Sequence, residues 1–235
     1  MYRIGSLLAL CTVLVLLTVG CRAPEDDSSW AGGLRFVDGA GSRGLVILHQ
    51  GHCSFGGEEY MPANLYPIAD ALCTAGYMVA GFEMPPFPHV APIERFYRPV
   101  LDFIDTIPAD VPIYMIGLSG GGWTTTVVTS LCPRIVKGYS VAGDLPLDLR
   151  VPPGDTGDWE QQNPPLDYRT MYAMAAGRLL HIFNAYDYCC FRYTGTEDEL
   201  GGPFVVDYTH SDHKISQWAL KVIMADMECA IEAVR

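Results

Sequence analysis

The string Ile116-Gly117-Leu118-Ser119-Gly120-Gly121-Gly122-Trp123 sets a serine inside a G-x-S-x-G pattern. An apolar, strand-like run leads into it and a helix-compatible run leads out, so Ser119 stands at a strand-to-helix turn. Such a turn needs glycines on both sides, because a Cβ there would meet the crossing backbone. It thrusts the hydroxyl out at the carboxyl end of the sheet, where open α/β folds bind ligands. The helix behind it presents unpaired backbone N–H groups and the positive end of its dipole to a developing oxyanion. These parts suit nucleophilic attack by a serine oxygen.

A turn of that kind works only if the surrounding chain holds it still. Residues 44–49 form a short continuous apolar run, the pattern of a strand buried on both faces. Leu65, Ile68, Ala69 and Leu72 then recur at helical spacing, and Gly76 ends that helix. A strand is expected at 77–82. Ile93, Phe96, Tyr97, Val100, Leu101 and Ile104 make a helical stripe that stops before Pro108. Further strands are expected at 111–116, 135–141, 179–183 and 204–207, with helices at 120–131 and 171–176. Trp218, Val222, Ile223, Met227, Ala230 and Ile231 give a closing amphipathic helix. This alternation predicts one α/β domain: a mostly parallel, twisted sheet with helices on both faces.

With the elbow in place, residues 33–235 resemble the α/β-hydrolase superfamily. Its members carry Ser, then Asp or Glu, then His, in chain order. The resemblance implies Ser119 as nucleophile and Asp187, just past the 179–183 strand, as the acid. Asp144, past the preceding strand, is the alternative acid. It also implies a base from Thr209-His210-Ser211-Asp212-His213-Lys214, between the last strand and last helix. His213 is favoured because it stands nearer the closing helix and can swing toward the elbow. His210 is the alternative, and Asp212 is a candidate cap for the helix. The oxyanion segment, commonly His-Gly, reads His49-Gln50-Gly51-His52-Cys53 here. The expected backbone donors are Gly120 and a residue of the 51–53 turn, His52 first. His89 and His181 are read as structural. The reaction implied needs neither metal nor organic cofactor.

The N-terminus reads as an address. Arg3 precedes an apolar run over residues 4–19, too short for the roughly 20 residues of a spanning helix. Gly20-Cys21 resembles the lipidation site of a bacterial lipoprotein. Residues 1–20 are therefore expected to be a signal peptide and 21–32 a polar tether. The expected location is the bacterial envelope, facing the periplasm or exterior, with membrane contact only through lipid on Cys21; an ordinary signal peptide cleaved nearby, with secretion, is the alternative. Six further cysteines after Cys21 (Cys53, Cys73, Cys132, Cys189, Cys190 and Cys229) suggest disulfides in an oxidising compartment. No C-x-x-C spacing occurs, which argues against a structural zinc site.

Composition narrows the partners. The 235 residues carry a net charge of -12, a surface that repels nucleic acid. Charged residues are 18% against a typical figure of about 25%, which excludes a disordered, charge-rich chain. The interval between the strands at 135–141 and 179–183 holds no long apolar lid and no large cap domain. Trp123, Trp159 and Tyr168 instead suit a small or polar acyl ester, free or linked to a polymer. Carboxylic-ester hydrolysis through an acyl-enzyme is the expected activity. A serine peptidase or amidase on the same scaffold, and a binding lipoprotein without catalysis, are the alternatives.

Overall fold

Leu45–Gln50 (β2) and Ile113–Leu118 (β4) bury every residue, as strands flanked by neighbours on both edges and helices on both faces must. They occupy the middle of a seven-stranded sheet of order β1 (Leu34–Asp38), β3 (Met78–Glu83), β2, β4, β5 (Ile135–Val141), β6 (Leu179–Asn184), β7 (Phe204–Asp207). In this computed structural model the described residues are 34–39, 41–52, 65–85, 92–150, 157–189, 193, 195 and 199–234. The expected signal peptide and tether, with Cys21, Cys53, His89 and Cys190, lie outside them.

Strands β2, Met78–Glu83 (β3), β4, Ile135–Val141 (β5), Leu179–Asn184 (β6) and Phe204–Asp207 (β7) pair in parallel throughout. Leu34–Asp38 (β1) pairs antiparallel with β3 and closes one edge, a strand the sequence reading leaves out. Five residues of mixed polarity carry too little periodicity to announce an edge strand. The helices are Tyr66–Thr74 (α1), Arg98–Thr106 (α2), Gly120–Leu131 (α3), Trp159–Gln162 (α4), Tyr168–Met174 (α5) and Gln217–Val234 (α6).

The chain runs outward from β2 to β3, then returns past β2 to β4. Because parallel crossovers are right-handed, that reversal puts α1 on the opposite face from α2 and α3. It also opens a switch point between the carboxyl ends of β2 and β4. The elbow and the turn after β2 meet there.

Two departures from the expected elements have local causes. The apolar stripe from Ile93 to Ile104 is one helix in the sequence but two in the structure. A 3-10 turn, Ile93–Phe96, passes through Tyr97 (φ -126°) before α2 begins with Pro99 in its first turn. Proline lacks the N–H that would carry an earlier helix through, and it restricts the residue before it. The closing helix is capped by Ser216, whose Oγ accepts from the Ala219 N–H at 2.9 Å. Asp212, the expected cap, instead accepts from Lys214 Nζ at the surface, 2.5 Å away.

Candidate active site

Ser119 has φ 57° and ψ -126°, a region that non-glycine residues rarely adopt. Such strain costs about 1–3 kcal/mol and persists only where the surroundings over-determine it. Here they do. The Ser119 N–H donates to the Val141 carbonyl at 2.9 Å, and the Ser119 carbonyl accepts from the Trp123 N–H at 3.0 Å. The motif glycines are equally constrained. A Cβ on Gly117 would stand 2.0 Å from the Gly121 oxygen, and one on Gly121 would stand 2.1 Å from the His49 oxygen. No side chain fits either place. Ala142, directly after β5, also has positive φ, at 43°.

Behind the elbow, α3 is buried from Gly120 through Ser130. Its Thr124 and Thr125 hydroxyls donate back to the carbonyls of Gly120 and Gly121, at 3.1 and 2.9 Å. Such threonines can sit in a core helix, since these two hydroxyls are satisfied by the preceding turn and that of Thr126 by Asp144.

Asp187 and His213 meet. The His213 Nδ1 lies 2.7 Å from Asp187 Oδ2. The carboxylate also accepts from the Cys189 N–H at 2.8 Å and from the Asn184 amide at 3.3 Å. Burial alone would raise the Asp187 carboxyl. The His213 contact and these donors outweigh it and hold the group below the usual range. Burial pulls His213 down, but the facing carboxylate wins and sets the imidazole above its ordinary value. That arrangement fixes which ring nitrogen faces the acid and leaves Nε2 for a reacting proton.

The alternatives sit elsewhere. His210 Nε2 lies 3.3 Å from Asp207, and its Nδ1 accepts from the Asp212 N–H at 3.1 Å. Asp207 also accepts from the Thr209 hydroxyl and from Ser216 Oγ, so this second acid–histidine pair braces the loop before α6. Asp144 is fully buried and accepts from Ser140 (2.6 Å), Thr126 (3.0 Å) and Tyr172 (2.9 Å). His181 Nδ1 stands 3.4 Å from it. Burial would raise Asp144, and these partners hold it low. Its oxygens are engaged inside the core, which agrees with a structural reading of His181.

The turn after β2 presses on the elbow. A Cβ on Gly51 would lie 2.6 Å from Ser119 Cβ and 3.0 Å from the Gly120 nitrogen. The His52 ring abuts Gly120, with its Cε1 2.9 Å from where a Gly120 Cβ would be. Gly120 and the 51–52 turn, the expected oxyanion donors, are thus brought together. His49, a strand residue, bonds through Nδ1 to the Gln50 carbonyl at 2.8 Å, and burial lowers its pKa to about 4.

Two expectations are corrected. Trp123 and Tyr168 do not line an open pocket. Trp123 is wholly buried edge-on to Phe96, and the buried Tyr168 donates its hydroxyl to the Gln161 carbonyl. Only Trp159 reaches the surface, stacked on Phe96 at 6.2 Å. Disulfides are not formed between any two described cysteines: Cys73, Cys132, Cys189 and Cys229 do not reach bonding geometry with one another. The sequence reading also missed Glu160, a fully buried carboxylate on α4 beside His52. A four-residue helix in a polar interval gives no periodic signal by which to find it.

No protein-family model matches the chain, and no curated protein matches it. Solved structures do. A Thermus thermophilus protein, TT1662, superposes at TM-score 0.55 and 18% identity, over 90% of this chain and 99% of its own. An esterase from Pyrococcus furiosus gives TM-score 0.56 and 15% identity, over 82% of each chain. An acetyl xylan esterase from a Paenibacillus species gives TM-score 0.52 and 15% identity, over 88% of this chain and 77% of its own. At such identities the likeness is one of architecture, and the architecture is the α/β-hydrolase fold.

Proposed function

We propose that this chain is a serine hydrolase of carboxylic esters with small or polar acyl groups. One observation carries the reading: a strained serine at the switch point shares a fold with an Asp187–His213 pair at 2.7 Å, both placed after parallel strands. Ser119 Oγ attacks the ester carbonyl while His213 Nε2 takes its proton. Asp187 stabilises the imidazolium that results. The tetrahedral oxyanion is held by the Gly120 N–H and an N–H of the 51–52 turn. Collapse passes the proton from His213 to the leaving alkoxide and leaves an acyl-enzyme. Water, deprotonated by the same histidine, then releases the acid and restores Ser119.

Support for a polar substrate comes from the rim. Between β5 and β6 the described residues form only a 3-10 turn and two short helices, α4 and α5, with no long apolar lid. Tyr186, Tyr188 and Tyr208, on the loops after β6 and β7, are exposed at the carboxyl edge of the sheet. Of the structural neighbours, the acetyl xylan esterase is named for an ester carried on a carbohydrate. Residues 1–20 export the chain, and lipid on Cys21 holds it at the envelope.

Purified wild type and Ser119→Ala, assayed in parallel on acetyl esters and the matching amides, test this function. Ester turnover confined to wild type supports it. Faster amide than ester cleavage favours a peptidase, and equal turnover by both proteins removes the serine mechanism.

A further inference from the structure

His52, Asp158 and Glu160 converge beside the elbow, and ester hydrolysis gives neither acidic residue a task. His52 Nδ1 lies 3.2 Å from Asp158 Oδ2, and its Nε2 lies 3.4 Å from Glu160 Oε1. One donor atom from each of the three falls within 4.8 Å of the others.

Glu160 is the unusual member. It is fully buried, and neither carboxylate oxygen accepts a hydrogen bond from any described residue. A desolvated carboxylate without a donor is costly unless something positive answers it. Arg150 acts on Glu160 through its charge, while its guanidinium donates to the Leu145 carbonyl and to Gln161 Oε1, at 2.8 and 3.0 Å. The two carboxylates, Asp158 and Glu160, each face a ring nitrogen of His52. A divalent cation with a neutral imidazole matches both.

The distances fit such an ion. Around a tetrahedral cation with bonds of about 2.0–2.1 Å, neighbouring donors stand roughly 3.3–3.4 Å apart. His52 and Glu160 already have that separation. The Asp158 side chain is 47% exposed, and one of its oxygens lies within 4.8 Å of the other two donors.

We propose that His52, Asp158 and Glu160 bind one zinc-type divalent cation through an imidazole nitrogen and two carboxylate oxygens. The imidazole favours zinc over calcium or magnesium, which prefer oxygen alone. The ion ties the segment between β5 and β6 to the turn after β2. It thereby fixes the ring that abuts Gly120, the expected oxyanion donor. The site stands independently of the serine chemistry, and its test reads binding.

Full-length protein stripped with a chelator is titrated with zinc and with calcium at pH 7.5, by calorimetry and metal analysis. One zinc per chain is expected, with calcium at least tenfold weaker. Glu160→Gln and the more exposed Asp158→Asn should each weaken zinc at least tenfold. No zinc uptake overturns the proposal. So does zinc binding that both folded variants keep, which would place the metal elsewhere. Calcium bound as tightly as zinc overturns the zinc-type assignment. Fluorophosphonate labelling of Ser119, run on the same samples, reports on the hydrolase reading separately.

Discussion

His213 faces Asp187, while His210 faces Asp207, and the chemistry separates the two pairs. Replacing His213 by Ala should cost about three or more orders of magnitude in ester turnover, as loss of a triad member does. Replacing His210 should cost stability and leave turnover per folded molecule within about tenfold. Turnover kept by His213→Ala and lost by His210→Ala would reverse the assignment. The pH profile gives a second reading. The base accepts a proton only when neutral, and its pKa is raised by Asp187. The acid limb of kcat/KM should therefore lie above the ordinary imidazole value and rise with pH through it. In Asp187→Asn the raising contact is lost, so the limb of the residual activity should move to lower pH. Asp144 answers differently. Its oxygens are taken by Ser140, Thr126 and Tyr172. Asp144→Asn should lose about 1–3 kcal/mol of stability by denaturant titration while kcat stays near wild type. The turn at Ser119 and the meeting of Asp187 with His213 were legible in the sequence, because chain order and strand ends constrain where these residues stand. Choosing between His210 and His213 was harder, since both flank Asp212 and only packing decides which ring meets which acid.

Among the elements, the elbow is the strictest. Gly121 has no room for a Cβ, since the obstacle is the His49 carbonyl of a central strand rather than a pliable side chain. Gly121→Ala should therefore cost about 1–3 kcal/mol or more, and pull Ser119 off its turn. Thermal unfolding together with serine labelling checks both effects, and an unchanged melting midpoint with full labelling would contradict the packing described here. The long buried strands were readable because continuous apolar runs leave few options. The edge strand β1 and helix α4 were not, being four or five residues long with no repeating pattern. That gap mattered, because α4 carries Glu160 to the turn after β2. The stripe from Ile93 to Ile104 misled for the opposite reason: its spacing is helical throughout, and only Pro99 marks the break.

At the scale of the whole molecule, the fold brings the ends of β2, β4, β6 and β7 to one edge. If lipid on Cys21 anchors the chain, wild type should enter the detergent phase on fractionation and Cys21→Ser should stay aqueous. Both proteins remaining aqueous would remove the anchor without touching the fold. The central claim is that Ser119 is an activated nucleophile. Its most direct measurement is treatment of the folded full-length chain with a fluorophosphonate, followed by mass mapping of the adduct. A single phosphonyl group on Ser119, absent from His213→Ala, is the predicted result. Folded protein that takes no label, or takes it on another serine, would contradict it.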